Sequence, residues 1–289
     1  MILKGCGTAL LTPFKGEKVD YDAFASLVRR QVESGIHFLV PLGTTGETPC
    51  LSDSEKSGVL SVTKENAGEL PVVAGVGTNS LPGTIANMRL LKEADAFLVV
   101  VPYYNKPTQE GIYRYFKAVA SETDRDIIIY NVPGRTGSNI SAETVLRLAS
   151  DVPNITAVKE ASGNYRQISE IIAGRNEGFS VLSGNDDETL SLMATGADGV
   201  ISVASNVAPV EMVAYVEAIQ KGDLAAARSL HYRLMPLFKN LFIESNPIPA
   251  KAAMAQLSLM ENSLRLPLVP ASAKTEEIMK RTLDDLWQE

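Results

Sequence analysis

The sequence is poor in histidine and cysteine, two residue types that carry much of protein chemistry. Its 289 residues include only two histidines, His37 and His231, and two cysteines, Cys6 and Cys50. Two cysteines cannot form a disulfide framework, and neither has a metal-ligating partner nearby in the sequence. We therefore expect any acid–base chemistry to depend on side chains other than histidine.

The sequence also lacks a basic excess and long hydrophobic runs. It has 27 lysines and arginines against 34 aspartates and glutamates, a formal net charge of −7. Nucleic-acid binders normally present a basic face, so this class is disfavoured. The longest apolar stretch, Ala96 to Pro102, is far shorter than the roughly 20 residues that span a bilayer, and the N-terminus lacks the apolar core of a signal peptide. We expect a cytoplasmic protein without a membrane partner.

Short apolar segments alternate with longer amphipathic segments along most of the chain. Most of the short segments are continuously apolar, which is typical of strands buried on both faces of a parallel sheet. Eight βα units predict an α/β fold of the (β/α)8 TIM barrel type. A doubly wound open sheet is the alternative, disfavoured because no G-x-G-x-x-G turn follows the first strand. The predicted strands are Gly7–Thr12, His37–Leu42, Val72–Val76, Phe97–Val101, Ile127–Val132, Thr156–Lys159, Ser180–Ser183 and Gly199–Val203.

The end of the chain shows no further strand pattern. Three helices are predicted there, over Asp223–Ile243, Pro247–Met260 and Thr275–Trp287, with Asn246 as the N-cap of the second helix and Pro247 as its first residue. We expect a barrel over residues 1–222 that carries the active site. Residues 223–289 are expected to form a C-terminal helical appendage packed on that barrel.

Lys159 is the most informative reactive residue. Active sites of such barrels lie at the C-terminal ends of the strands, and Lys159 ends the sixth predicted strand. Apolar surroundings lower the pKa of an ammonium group, and the neutral amine can attack a carbonyl to form a Schiff base. Tyr130, which lies near the end of the neighbouring strand, can relay protons. The alternatives are a lysine that extends into solvent and a tyrosine that only packs.

Other strand ends carry groups that suit anionic ligands. Thr44 and Thr45 lie in a Gly-Thr-Thr-Gly turn that can bind a carboxylate, or that is an ordinary turn before a helix. Arg135 follows a Pro-Gly pair and can bind a second carboxylate in a bidentate manner, or it is a surface arginine. Asp186 and Asp187 are predicted to cap the following helix rather than to bind a metal.

Seven motifs together resemble one family. The sequence resembles the 4-hydroxy-tetrahydrodipicolinate synthase (dihydrodipicolinate synthase) family of the N-acetylneuraminate lyase superfamily, in consistent order from about Gly5 to Ala271. Arg135 in its PGRTG loop and Tyr104 after Tyr103 favour this branch over the sialate lyases. The motifs are Gly43–Glu47 (GTTGE), Pro102–Pro107 (PYYNKP), Tyr130–Gly137 (YNVPGRTG), Lys159–Gly163 (KEASG), Ser183–Asp187 (SGNDD), Gly199–Asn206 (GVISVASN) and Asn246–Pro249 (NPIP).

The resemblance implies a class I aldolase-type lyase of diaminopimelate and lysine biosynthesis. Lys159 would form a Schiff base with pyruvate, whose carboxylate would rest on the turn with Thr44 and Thr45. The resulting enamine would attack the aldehyde of L-aspartate 4-semialdehyde, and Arg135 would hold the carboxylate of that substrate. Ring closure would give 4-hydroxy-tetrahydrodipicolinate.

The resemblance also implies supporting roles. Tyr130, Thr44 and Tyr104 would form a proton relay, with Tyr104 offered across an interface of a homotetramer built as a dimer of dimers. Main-chain groups of Gly184 and Ile201 would shape the pocket. No metal or organic cofactor would be needed, because the iminium itself serves as the electron sink.

Some relatives bind lysine as a feedback inhibitor. Lys56 places a cation where the ammonium group of that ligand needs an acceptor, and Gly83 lacks the carboxylate that inhibited enzymes use. Because like charges repel, we expect inhibition by lysine to be weak or absent. No role is assigned to Cys50. The positions that correspond to the inhibitor site are Thr48, Pro49, Asp53, Lys56, Asn79, Gly83 and Tyr103.

Two other functions remain open at this point. A pyruvate-dependent aldolase that acts on a keto-sugar acid would use the same lysine, and differs from the synthase in its need for Arg135. A non-catalytic sensor of pyruvate-like acids is the alternative from another class, disfavoured by the presence together of Lys159, Tyr130 and Thr44.

Overall fold

The sequence folds into strands that alternate with helices, as shown by a computed structural model that describes residues 2–287. All residues of most of the parallel strands are buried, which explains their continuously apolar sequences. The strands are β1 (Gly5–Ala9), β2 (Phe14–Lys15), β3 (Lys18–Val19), β4 (Phe38–Val40), β5 (Val73–Gly75), β6 (Ala96–Val100), β7 (Asp126–Asn131), β8 (Ile155–Glu160), β9 (Ser180–Ser183) and β10 (Gly199–Ser202).

Eight parallel strands form one sheet, in the order β4-β1-β10-β9-β8-β7-β6-β5. Leu39 of β4 forms a parallel bridge with Val72, the residue before β5. The prediction of a (β/α)8 TIM barrel followed by C-terminal helices is confirmed. All eight predicted strands exist, with boundaries that differ by a few residues.

Helices occupy the longer amphipathic segments between the strands. Ser52 forms a capping box, since its hydroxyl accepts from the Glu55 N–H while the Glu55 carboxylate accepts from the Ser52 N–H. The helices are α1 (Tyr21–Glu33), α2 (Asp53–Asn66), α3 (Leu81–Leu90), α4 (Gln109–Ala120), α5 (Pro133–Thr136), α6 (Ala142–Asp151), α7 (Tyr165–Gly174), α8 (Thr189–Ala194), α9 (Pro209–Gln220), α10 (Leu224–Asn240), α11 (Ile248–Gln256) and α12 (Ala273–Trp287).

Three local features differ from the sequence-based expectation. The antiparallel pair β2–β3 was not predicted, because its two-residue strands are too short to show a pattern. Asn246 does not cap α11, since its amide donates instead to the Thr45 hydroxyl. The predicted cap at Asp186 and Asp187 is also wrong, because both residues lie in a 3-10 turn and α8 begins after Glu188 without a side-chain cap.

The chain has two compact units. One comprises residues 2–4 and 73–201, and the other comprises residues 5–72 and 202–287. In the second unit, α10 packs against α9, and α12 packs against α10 and α11. Among the residues that the structure describes, no helix combines the length and the apolar character needed to cross a bilayer.

Candidate active site

Lys159 lies near the end of β8 with its side chain buried. The register of β7 and β8 pairs Lys159 with Tyr130, and the Lys159 Nζ lies 4.3 Å from the centroid of the Tyr130 ring. The residue is only 6% exposed. Burial, opposed by the charge of Asp186 and assisted to a smaller extent by the Arg135 cation, lowers the pKa of Lys159 to about 8. A substantial fraction of this lysine is therefore a neutral amine near pH 8.

Asp186 is a buried acid that acts on Lys159 and that the sequence did not reveal. Its side chain is buried in the 3-10 turn that follows β9, and its charge raises the pKa of Lys159. The sequence-based interpretation as a helix cap missed this role. The Ser-Gly-Asn-Asp-Asp motif was the available signal, because it places an acid just after a strand on the side where active sites form.

Gly184 is required by the close packing around the lysine stem. A Cβ atom there would lie 2.6 Å from the Ala161 Cβ and 3.1 Å from the Lys159 Cε. The Gly184 N–H donates to the Glu160 carbonyl at 2.6 Å, which fixes this approach. Ile201 is fully buried in β10. Any larger residue at position 184 would therefore clash with Ala161 and crowd the Lys159 side chain.

Arg135 and Tyr104 lie on adjoining loops of the same unit. Arg135 is exposed on the short helix α5, which ends at Gly137 with φ 67°. Tyr104 is 89% exposed, and its backbone N–H donates to the Thr136 carbonyl at 3.2 Å. The loop that carries the arginine therefore also supports the backbone of Tyr104.

Thr44 and Thr45 form a 3-10 turn that follows β4 in the second unit. Thr45 is buried, and its hydroxyl accepts a hydrogen bond of 3.0 Å from the Asn246 amide. Thr44 is exposed, which leaves its side chain accessible to a ligand. The Thr12 hydroxyl donates to the Gly46 carbonyl at 2.8 Å and holds the end of the turn. The two threonines therefore differ in environment, although they are adjacent in sequence.

A buried ion pair secures the residue that follows this turn. Glu47 has a left-handed backbone, φ 52°, and its carboxylate pairs with Lys251 while accepting from the Arg265 N–H at 3.2 Å. The Lys251 Nζ also donates to the Ser263 carbonyl at 2.9 Å and lies 4.0 Å from the centroid of the Phe14 ring. Burial lowers the pKa of Lys251 to about 8, against the opposing effect of Glu47. Sequence reasoning missed this network.

The sequence matches the Dihydrodipicolinate synthetase family over residues 2–286. This chain belongs to that family. The 4-hydroxy-tetrahydrodipicolinate synthase of Thermotoga neapolitana is 47% identical over 288 residues, with 98% of each chain covered. The structure of dihydrodipicolinate synthase from Thermotoga maritima is 45% identical, with a TM-score of 0.97 and 99% of each chain covered.

A third relative differs in its assembly from the expectation for this chain. It is described as the first monomeric dihydrodipicolinate synthase variant, is 45% identical, and has a TM-score of 0.97, with 99% of this chain and 97% of that chain covered. The family assignment drawn from the seven motifs is confirmed. Membership of the dihydrodipicolinate synthetase family does not by itself fix the oligomeric state.

The positions that correspond to the inhibitor site of some family members are distributed over both units. In the second unit, Lys56 pairs with Asp53 at 3.0 Å on α2, and the Thr48 hydroxyl donates to the Gly43 carbonyl at 2.9 Å. Pro49 is exposed beside Thr48.

In the first unit, the Asn79 carbonyl accepts from the Asn105 amide at 2.9 Å, and Tyr103 is partly exposed. Gly83 lies in the first turn of α3, where a Cβ atom would lie 2.9 Å from the Thr78 hydroxyl. A carboxylate-bearing side chain at position 83 would therefore need Thr78 to move.

Within residues 2–287, no group of three or more histidine, cysteine, aspartate or glutamate side chains is arranged to hold a metal ion.

Proposed function

We propose that this chain is a 4-hydroxy-tetrahydrodipicolinate synthase that condenses pyruvate with L-aspartate 4-semialdehyde in lysine biosynthesis. The observation that carries the proposal is the buried lysine of β8, whose pKa is lowered to about 8 beside a tyrosine ring and an arginine. Such an amine suits covalent capture of a carbonyl compound. Family membership along nearly the whole chain supports the same activity.

The first half of the reaction takes place on Lys159. Its neutral amine attacks the ketone carbon of pyruvate, water leaves, and an iminium forms between the lysine nitrogen and that carbon. The iminium draws electrons from the adjacent methyl group, which loses a proton and becomes an enamine. Burial favours this sequence because it lowers the pKa of the amine and so raises the fraction that is uncharged before attack. Thr44 and Thr45 bind the pyruvate carboxylate in this proposal, which rests on their sequence motif.

The second half of the reaction joins the two substrates. The enamine carbon attacks the aldehyde carbon of L-aspartate 4-semialdehyde, and the aldehyde oxygen takes up a proton. The amine of that substrate then attacks the imine carbon, which releases Lys159 and closes the six-membered ring. Arg135 binds the carboxylate of the second substrate, and its exposure on α5 supports a role in recognition.

The proposal also assigns the proton relay and the assembly. Tyr130, Thr44 and Tyr104 move protons between substrate and solvent, while main-chain groups of Gly184 and Ile201 shape the pocket. The 89% exposure of Tyr104 supports a homotetramer in which this tyrosine serves a neighbouring subunit. The enzyme is cytoplasmic and uses no metal or organic cofactor.

The proposal is tested by chemical trapping of the imine. The protein is incubated with pyruvate and borohydride, and its peptides are analysed by mass spectrometry. The peptide that contains Lys159 is expected to gain the mass of the reduced pyruvyl group. A coupled assay is then expected to show that L-aspartate 4-semialdehyde and pyruvate are consumed together. Absence of the adduct at Lys159 would contradict the proposal.

Replacing Arg135 with methionine is expected to separate the synthase from an aldolase of keto-sugar acids. Loss of a charge-assisted bond to the substrate carboxylate is expected to raise the KM for L-aspartate 4-semialdehyde by about 10- to 100-fold. The borohydride adduct with pyruvate is expected to persist, because Arg135 does not form the imine. Steady-state kinetics with each substrate varied in turn measure both effects.

Arg166→Met provides the control for this experiment. Arg166 is an exposed arginine of α7 that forms an ion pair with Glu170. Its substitution is expected to leave both KM values unchanged. An Arg135→Met variant that keeps its KM for the aldehyde, or that cleaves a keto-sugar acid as well as the wild type does, would favour the alternative aldolase.

Lysine is expected to inhibit this enzyme only weakly, with an inhibition constant above about 1 mM, a binding free energy weaker than about −4 kcal/mol. The physical reason is repulsion between the Lys56 ammonium and the ammonium of the ligand, together with the missing carboxylate at Gly83. Initial rates measured over a range of lysine concentrations check this expectation. Inhibition in the submillimolar or micromolar range would show that the inhibitor site is intact despite these two residues.

A further inference from the structure

Glu160 is a buried carboxylate that directly follows Lys159 on β8 and takes no part in the proposed chemistry. The residue is 0% exposed. The strand register pairs Tyr130 with Lys159 and Asn131 with Glu160. Because successive residues of a strand point to opposite faces, Glu160 faces away from the amine. It contacts Gln167 of α7 on the other face of the sheet.

Four hydrogen bonds converge on the Glu160 carboxylate. The Asn131 amide donates to Oε1 at 2.6 Å, and the Gln167 amide donates to the same oxygen at 3.0 Å. The Ser162 hydroxyl and N–H donate to Oε2 at 2.5 Å and 3.2 Å. Three of the four are N–H groups that can only donate, so the arrangement fits an ionised carboxylate, which accepts at both oxygens.

Asn139 shares the partners of this carboxylate. The Asn131 amide donates to the Asn139 Oδ1 at 2.8 Å, and the Asn139 amide donates to the Gln167 Oε1 at 2.8 Å. The Asn131 Oδ1 also accepts from the Ile140 N–H at 3.3 Å. The network therefore joins Asn131, at the end of β7, to Asn139 and Ile140, where the loop that follows β7 ends.

The segment between these two anchors is the one that carries Arg135. Within it, the Arg135 N–H donates to the Val132 carbonyl at 2.9 Å, and the Thr136 hydroxyl donates to the Ser138 carbonyl at 2.8 Å. The Thr136 carbonyl accepts from the Tyr104 N–H. Arg135 and the backbone of Tyr104 are therefore both held by a loop whose two ends are bound to one buried carboxylate network.

We propose that Glu160 is a positioning residue that fixes the loop of residues 132–139, and with it Arg135, for binding of the second substrate. The inference rests on the proposed function, because it takes Arg135 as the group that binds the carboxylate of that substrate. Glu160 itself touches neither substrate. It acts through Asn131, Gln167 and Asn139, on the face of the sheet opposite to Lys159.

Glu160→Gln is the most direct test, because it keeps the shape of the side chain. In either orientation of the new amide, its NH2 group meets N–H donors, so part of the network is lost. The expected result is a rise of about tenfold in the KM for L-aspartate 4-semialdehyde. The KM for pyruvate and the yield of the borohydride adduct at Lys159 are expected to stay unchanged. A residue needed only for folding would affect both substrates alike.

A double-mutant comparison identifies the route of the effect. In an Arg135→Met background, Glu160→Gln is expected to cause little further rise in the KM for the aldehyde, since the group that it positions is already absent. Asn139→Ala disturbs the far end of the loop without altering β8, and is expected to raise the same KM. This variant decides the question if Glu160→Gln does not fold. Glu170→Gln, which removes an exposed carboxylate of α7, is the matched control and is expected to have no effect.

Two outcomes would overturn the inference. One is a Glu160→Gln or Asn139→Ala variant that folds and keeps the wild-type KM for the aldehyde. The other is a full additional effect of Glu160→Gln in the Arg135→Met background. Failure of the proposed function is a different result, because the wild-type protein would then give no pyruvate adduct at Lys159.

Discussion

Replacing Lys159 with methionine is expected to abolish the borohydride-trapped pyruvate adduct and to lower kcat by about a hundredfold or more, since it removes the proposed covalent nucleophile. Methionine has a stem of similar length, so it fills the space between the Tyr130 ring and Gly184 without a charge. Intact-mass analysis after trapping and the coupled assay measure the two losses. The fold is expected to be retained, because an uncharged methionine side chain does not have the desolvation cost of a buried ammonium group.

The pH dependence of trapping provides an internal check on this assignment. Burial lowers the pKa of Lys159 to about 8, and only the neutral amine attacks a ketone. The initial trapping rate of the wild type is therefore expected to rise with pH through about 8 and then level off. Lys280→Met, at an exposed lysine of α12, is expected to leave the profile unchanged. A rate that keeps rising to the pH at which an ordinary lysine titrates would contradict the buried-amine interpretation.

The strands were predictable because each is a short apolar run buried on both faces. The prediction for β5, Val72–Val76, differs from the observed Val73–Gly75 only at its ends. The pair β2–β3 was not predictable, because Lys15 and Lys18 are exposed and break any apolar pattern. A strand that is buried against several other elements has a continuous apolar sequence that can be recognised. A two-residue strand at the surface has no such pattern.

The pairing of Lys159 with Tyr130 was predictable for a similar reason. Lys159 and Tyr130 lie near the ends of neighbouring apolar strands, and the register of these strands places them side by side in the sheet. Asp186 and Glu160 were not recognised, because their roles depend on which side chains surround them. Glu160 in particular could be identified only from its contacts with Asn131 and Gln167, which reach it from β7 and α7.

The wrong prediction at Asn246 has the same physical cause. An asparagine before a proline is a frequent helix start, and nothing local distinguishes this asparagine from a cap. Its amide instead donates to the Thr45 hydroxyl, which lies 201 residues away in sequence. Local propensity therefore gave way to a buried tertiary hydrogen bond, which satisfies the hydroxyl at low solvent exposure.

Replacing Lys251 with methionine is expected to lower the free energy of unfolding by about 3–5 kcal/mol, because removal of one partner leaves the charge of Glu47 buried. Both side chains are 0% exposed. After the substitution, the Arg265 N–H at 3.2 Å remains as a hydrogen-bond donor to the Glu47 carboxylate. Chemical denaturation followed by circular dichroism measures the loss.

The double variant Glu47→Gln with Lys251→Met separates the unpaired charge from the packing of the two side chains. Neutral groups of similar size no longer leave a charge in the interior, so the double variant is expected to be more stable than Lys251→Met alone. Equal or greater destabilisation of the double variant would mean that the contact of Lys251 with Phe14 and Ser263 matters more than the ion pair.

Both variants are also expected to raise the KM for pyruvate, because Glu47 directly follows the turn with Thr44 and Thr45. Glu160→Gln, by contrast, is expected to raise only the KM for the aldehyde.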